Sequence, residues 1–217
     1  MKEYYDRRAK EYEAVYHRDD PVRQQELAEI TSAIEEAMRG RRVLEIACGT
    51  GYWTQRAAKT AAHITSIDAA PEMLEMARSK NLPLDKVDFH LGDAYKLDIL
   101  GRNFDAGLAM FWFSHVPKAR LQEFLTGFHA ALEPKSTIFL AENMLQEGVG
   151  GELIRKPGIE DTFKRRTLAD GSVHDILKNY YNRSELEAIF SPFATNLRIE
   201  MGACFYRVQY SSSLRQS

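Results

Sequence analysis

Apolar positions along the chain fall into two alternating patterns. The run Val43-Leu44-Glu45-Ile46-Ala47 is followed by helical spacing from about Trp53 to Lys59, and then by Ile64-Thr65-Ser66-Ile67. A helix opened by Pro71 comes next, followed by the runs Val87-Asp88-Phe89-His90-Leu91 and Phe104 to Met110. A long helix then carries Leu121, Phe124, Leu125, Phe128 and Leu132 on one face, before Thr137-Ile138-Phe139-Leu140-Ala141 closes the series. Short apolar runs that alternate with helices at this spacing predict right-handed βαβ crossovers and a parallel sheet covered on both faces. The fold class expected is therefore α/β, Rossmann-like and doubly wound.

Two further regions flank this series. Lys2 to Arg18 reads as an amphipathic helix, with Tyr5, Ala9, Tyr12 and Tyr16 on one stripe. A second helix starts at Asp20-Pro21, a cap residue followed by proline at the first helical position, and presents Leu27, Ile30, Ile34 and Met38 before Gly40 ends it. Residues 1–40 thus form an expected helical cap. Beyond the parallel series, Phe163 to Leu168 and Val173 to Lys178 flank Ala169-Asp170-Gly171-Ser172, a hairpin signal, within an insertion over residues 143–181. Ser184 and Glu187 read as a capping box for a short helix through Phe190. Two closing strands are expected at about Asn196 to Glu200 and Phe205 to Tyr210. They form an antiparallel pair and bring the sheet to seven strands.

Composition narrows the class. The chain has 217 residues, 44% hydrophobic and 28% charged, which suits a single domain with a continuous core. A net charge of −2 supplies no global basic field, so neither nucleic acid nor an anionic membrane is an expected partner. The two cysteines, Cys48 and Cys204, have no paired spacing and read as reduced thiols. The polar opening Met1-Lys2-Glu3-Tyr4 and the absence of a run of ~20 apolar residues lead to an expectation of a cytoplasmic, membrane-free enzyme.

The chemistry centres on the turn after the first apolar run, Cys48-Gly49-Thr50-Gly51-Tyr52-Trp53-Thr54. Glycines there let backbone approach a ligand without a Cβ in the way. A dinucleotide fingerprint G-x-G-x-x-G would need a third glycine at position 54, where Thr54 stands. The pattern reads instead as Glu45-x-Ala47-x-Gly49-x-Gly51. In a doubly wound sheet, ligands lie beyond the carboxyl ends of the strands, so each strand end should supply a contact. Asp68 ends the second run, about twenty residues beyond the turn, where a carboxylate can accept both ribose hydroxyls. Gly92-Asp93-Ala94-Tyr95 follows the third, and the aromatic stretch Phe111-Trp112-Phe113-Ser114-His115-Val116-Pro117 follows the fourth.

This constellation resembles motif I and the strand-end contacts of class I S-adenosylmethionine-dependent methyltransferases, with alanine where the first of three glycines often stands. More narrowly, the chain is similar to a bacterial small-molecule group that includes a phosphonate O-methyltransferase. Gly49 to Thr54, Ser114-His115-Val116-Pro117, Arg165-Arg166-Thr167-Leu168, Asp170-Gly171 and Lys178 carry that likeness. The resemblance implies S-adenosylmethionine as cofactor and S-adenosylhomocysteine as product. It places cofactor contacts at Tyr5, Tyr12, Glu45, Ala47, Gly49, Gly51, Trp53, Thr54, Asp68, Ala69, Met73, Asp93, Ala94 and Phe111. It places contacts to a small-molecule methyl acceptor at Tyr4, Trp112, His115, Arg165, Arg166 and Lys178. Ala70, in place of the usual Ser or Asn, leaves the Pro71 helix less well capped.

Methyl transfer from a sulfonium needs mainly alignment and exclusion of water. His115 is the candidate catalytic base, needed only if the acceptor loses a proton in the reaction. No metal is implied. For the hairpin, a register pairing Leu168 with Val173 also pairs Arg166 with Asp175, which leaves Arg165 and Lys178 on the other face to grip a carboxylate or phosphonate. A slip of one residue would exchange the two arginines. The expected reaction is O-methylation of an acidic small molecule. N-methylation, a non-catalytic cofactor-binding module and a nicotinamide dehydrogenase are the alternatives, the last disfavoured by Thr54 and Glu45.

Overall fold

The computed structural model describes residues 9–80, 82–83, 85–98, 101, 103–168 and 171–213, with side chains from residue 13 onward. The described residues form ten strands and five α-helices. Strands β1 (Arg42–Ile46), β2 (His63–Asp68), β3 (Val87–Leu91), β4 (Phe104–Met110), β5 (Leu132–Asn143), β9 (Ala194–Met201) and β10 (Phe205–Ser212) form one sheet in the order β3-β2-β1-β4-β5-β10-β9. β1 to β5 run parallel, and β10 is antiparallel to both β5 and β9. A second, three-stranded antiparallel sheet contains β6 (Glu152–Arg155), β7 (Thr162–Thr167) and β8 (Val173–Leu177). The helices are α1 (Pro21–Ala37), α2 (Tyr52–Ala57), α3 (Pro71–Ser79), α4 (Leu121–Ala130) and α5 (Arg183–Phe190). Among the described residues, no helix is long and apolar enough to cross a membrane.

The central strands are apolar on both faces because both faces are covered. Along β5, Ile138 and Leu140 join one core with Phe124, Phe128, Phe190 and Tyr210, while Phe139 joins the other with Leu27, Ile34, Trp53 and Leu108. The two-residue side-chain period of a strand sorts neighbours to opposite sides. In α1, Asp20 accepts the Arg23 amide at 3.1 Å, Pro21 fills the first helical position, and Leu27, Ile30, Ile34 and Met38 are all buried. The Pro71 helix forms with no side-chain cap at Ala70.

Several local expectations are corrected. Ala9–Tyr16 is a 3-10 helix rather than an α-helix, while Lys2 to Arg8 lie outside the described residues. Leu132 is not on the α4 face but is the first residue of β5, after the chain turns at Ala131. The capping box uses Asn182 and Glu185, two residues ahead of Ser184 and Glu187: Asn182 accepts the Glu185 amide at 3.0 Å and Glu185 accepts the Asn182 amide at 2.7 Å. The expected hairpin gains a third strand, β6, whose Gly-flanked, charged sequence carries little strand signal. Its register also differs by one residue: Phe163 pairs with Leu177, Arg165 with Asp175, Arg166 with His174 and Thr167 with Val173.

Candidate functional site

Two adjoining clefts open at the carboxyl ends of the parallel strands. The first, of about 760 Å³, is lined by residues from four strand ends. β1 supplies Ala47 and Gly49, β2 supplies Ile67, Asp68 and Ala69, β3 leads into Gly92, Asp93 and Ala94, and β4 into Met110, Phe111, Trp112 and His115. Met73, from the first turns of α3, completes it and is itself buried.

Backbone conformation shapes this cleft. Gly49 and Gly51 adopt φ of 57° and 75°, the left-handed region that glycine enters without a Cβ penalty. Ala47 and Phe111, at the ends of the adjacent strands β1 and β4, are also left-handed, at φ of 52° and 57°. A non-glycine residue there costs ~1–3 kcal/mol and persists only where surrounding structure enforces it. Asp68 braces the turn: one carboxylate oxygen accepts the Gly49 amide at 2.8 Å and the other the Ala70 amide at 2.9 Å. Burial raises its pKa above the ordinary carboxylate value, against the pull of those amides. Each oxygen keeps further acceptor capacity for a ligand hydroxyl.

The second cleft, of about 830 Å³, lies between the N-terminal segment, the strand ends and the three-stranded sheet. It shares Phe111 and His115 with the first. Among the described residues, its lining carries Arg18, Arg23, Lys164, Arg166 and Lys178 and no carboxylate. Arg23 lies over the Phe205 ring at 4.4 Å.

Beneath the second cleft sits a buried polar cluster. Lys178 Nζ donates to Ser114 Oγ at 2.6 Å and to Glu142 Oε2 at 2.9 Å, while Glu142 Oε1 accepts both the amide and the hydroxyl of Ser114. Burial works against the Glu142 charge, but Lys178 and these hydrogen bonds outweigh it and hold the carboxyl below its usual range. Beside the cluster, His115 Nδ1 lies 2.7 Å from the Leu177 carbonyl, so Nδ1 carries the proton and Nε2 the lone pair. Burial, then the charge of Lys178, lowers the His115 pKa to about 3. A neutral imidazole of such low basicity orients and accepts hydrogen bonds but removes protons poorly.

The residues expected from sequence divide clearly. Ala47, Gly49, Asp68, Ala69, Met73, Asp93, Ala94 and Phe111 meet around the first cleft, and Trp112 and His115 line it too. Gly51, Trp53 and Thr54 do not line it. Trp53 Nε1 donates to Tyr16 Oη at 3.1 Å, and Thr54 Oγ1 donates to Glu45 at 2.7 Å. Glu45, expected at the cofactor, does not line this cleft: its Oε2 accepts the Thr54 and Ser66 hydroxyls beneath the turn, its Oε1 has no hydrogen-bond partner among the described residues, and burial raises its pKa to about 7. Tyr4, Tyr5 and the Tyr12 side chain lie outside the described residues.

The two arginines exchange faces of the hairpin relative to the expected register. Arg165 points away from the clefts and forms a two-point ion pair with Asp175, at 2.9 and 3.1 Å. Arg166, on the opposite face of β7, lines the second cleft. Lys178 also lines it, but it has an acidic partner, Glu142, which sequence reasoning did not find because the pair joins positions 36 residues apart. Lys164 and the tie from Glu13 to Thr50 (2.6 Å) and Lys80 (2.7 Å) were likewise missed. The i, i+2 spacing of Lys164 and Arg166 on one strand face was the available signal for Lys164.

A family profile described as "Methyltransferase domain" matches residues 43–135. The ubiquinone biosynthesis O-methyltransferase of Xanthomonas campestris pv. campestris is 30% identical over 158 residues, covering 72% of this chain and 63% of the relative. The chain thus spans less than two thirds of that relative's length. The DhpI–SAH complex superposes with a TM-score of 0.78 at 25% identity, covering 98% of this chain and 95% of that one. A DhpI–SAM–HEP complex gives 0.75 at the same identity, over 95% and 94%. Residues 43–135 thus match a methyltransferase domain, and the strand order, the glycine turn and the strand-end cleft agree with the fold of these cofactor-bound methyltransferase-like neighbours.

Proposed function

We propose that the protein transfers a methyl group from S-adenosylmethionine to an oxygen of a small acidic acceptor, a carboxylate or a phosphonate. The observation that carries this reading is the pairing of two clefts that meet at Phe111 and His115: one apolar with strand-end carboxylates, the other lined by cations.

The first cleft suits the cofactor. Asp68 can take the ribose hydroxyls, Asp93 the adenine amine, and Ile67, Met73 and Ala94 an apolar ring face. Trp112 Nε1–H is buried with no hydrogen-bond partner among the described residues, the kind of orphan donor that a bound ligand can satisfy. The cofactor supplies an electrophilic methyl on a positive sulfur. The chain's own work is alignment and exclusion of water at the junction of the clefts, which can lower a barrier by several kcal/mol. An acceptor that arrives ionised needs no base. His115 then acts as a fixed hydrogen-bond acceptor and wall rather than as a proton acceptor, in keeping with its low pKa.

Oxygen as the nucleophile is supported by the O-methyltransferase name of the Xanthomonas relative and by the surplus of cations in the second cleft. The test has two stages. Calorimetry should find S-adenosylhomocysteine binding without NAD binding. Incubation with S-adenosylmethionine and a panel of small carboxylates, phosphonates and amines should then yield methyl esters, read by mass spectrometry. Transfer confined to amines would overturn the oxygen assignment.

A further inference from the structure

The cation least accounted for is Lys164. Its residue is 3% exposed, and its ammonium donates to two backbone carbonyls, Val149 at 3.1 Å and Gly151 at 2.9 Å. The centroid of the Tyr180 ring lies 5.9 Å from the ammonium. Of the carboxylates near the three-stranded sheet, Asp175 is engaged by Arg165 and Lys156, Glu152 by Arg165 and Glu142 by Lys178, while Glu147 lines a neighbouring cleft with Lys164 but forms no ion pair with it. Among the described residues, no carboxylate forms an ion pair with Lys164. A buried ammonium without a counter-charge is unfavourable unless an anion completes it. It also has three N–H donors, of which two are used by the described residues. Burial and then Arg166 accordingly lower its pKa from the usual lysine value.

The carbonyls that hold Lys164 belong to the glycine-rich loop over residues 146–151. That loop also contributes Gln146, Val149 and Gly150 to the wall of the second cleft. Gly150 packs directly on the Arg166 guanidinium, because a Cβ added there would stand 2.8 Å from one of its nitrogens. Lys164 and Arg166 therefore share one face of β7, one cleft and one loop.

We propose that Lys164 is a specificity-determining residue that couples acceptor charge to the position of this loop. Two of its N–H groups hold the loop across the cleft wall, and the third takes an oxygen of the acceptor's anionic group. The inference rests on the reading of the second cleft as the site of an acidic acceptor. It goes beyond that reading by assigning the discriminating contact to Lys164 and by tying loop order to anion binding.

The experiment uses the full chain loaded with S-adenosylhomocysteine, with inorganic phosphate and acetate as probes. Calorimetry measures probe affinity, and hydrogen exchange follows residues 146–151. For the parent, the proposal expects an anion to bind and to slow exchange in the loop. Lys164→Gln keeps two amide donors for the carbonyls but removes the charge. It should weaken the probe roughly tenfold or more, abolish the added protection and leave S-adenosylhomocysteine affinity unchanged. Lys164→Met gives the same readout if the Gln variant does not retain cofactor affinity. Parent-like probe affinity in a cofactor-binding Lys164 variant overturns the proposal, as does anion binding that leaves loop exchange unchanged. Loss of probe binding in Arg166→Ala but not in the Lys164 variants would leave the acidic acceptor standing and remove Lys164 alone. Failure of the parent to bind either probe overturns this inference together with the acidic acceptor. Failure to bind S-adenosylhomocysteine would instead strike the donor site.

Discussion

Removing the Lys178 ammonium should destabilise the protein sharply, and removing its partner as well should restore much of the loss. The Lys178 and Glu142 side chains are only 7% and 0% exposed, with their charged atoms 2.9 Å apart. In Lys178→Met, Glu142 keeps hydrogen bonds from Ser114 and from the Asn143 amide, but its charge loses its counter-ion deep beneath the cleft. Breaking a buried pair from one side costs ~3–5 kcal/mol. For a chain of this size, each kcal/mol moves the melting temperature by ~2–4 °C, so the expected fall is ~6–20 °C. Glu142→Gln strands the ammonium and should be of similar size. The double variant carries neither charge and should lie well above the sum of the singles. The assay is a double-mutant cycle by urea denaturation at pH 7, repeated at lower pH. Because Glu142 has a depressed pKa, its contribution is complete above the ordinary carboxylate range and is lost as pH falls through the depressed value. The parent should therefore lose its advantage over Lys178→Met in acid. A single-variant cost below ~1 kcal/mol, or strict additivity to within ~0.5 kcal/mol, would refute the pairing.

Three further outcomes are expected. Arg166→Ala should raise KM for an acidic acceptor by the equivalent of ~1.5–3 kcal/mol while Arg165→Ala leaves it unchanged, because only Arg166 lines the cleft; steady-state kinetics that reverse the order would show the hairpin register to be wrong. Asp68→Ala should weaken S-adenosylhomocysteine by ~1.5–3 kcal/mol in calorimetry and also soften the fold, since the Gly49 and Ala70 amides lose their acceptor. Glu45 is raised from 4.5 to about 7 in the folded state, so the parent's stability should decline by about 3 kcal/mol as pH rises through that window. Glu45→Gln should flatten this decline, and parallel urea profiles for the two proteins between pH 5 and 8 would exclude Glu45 as its source.

The βαβ series was legible because each strand is a short apolar run and the crossovers keep helical spacing between them, so local pattern and global fold agree even where a helix start such as Ala70 has no side-chain cap. Val87–Leu91 and Phe104–Met110 stand where the apolar runs put them. The strand-end residues that line the first cleft were equally readable, since parallel topology sends every carboxyl end to one edge. Harder to read were features set by tertiary placement. Leu132 carries on the helical period of α4, yet the chain has already turned into β5. Glu45 stands beside the glycine turn in sequence, but the strand's two-residue period points it to Thr54 and Ser66 under the sheet. The hairpin register turned on one residue, and with it went the roles of Arg165 and Arg166. Lys178 looked unpaired because Glu142 approaches from another strand.

The central claim is that two chemically distinct clefts meet where the methyl group passes. A crystal structure with S-adenosylhomocysteine tests it most directly. The account expects the ribose hydroxyls on Asp68, the adenine between Met73 and the Asp93-Ala94 backbone, and the sulfur at the junction beside Phe111 and His115, facing Arg166 and Lys164. A ligand bound elsewhere, or a sulfur turned away from the cationic cleft, would contradict it.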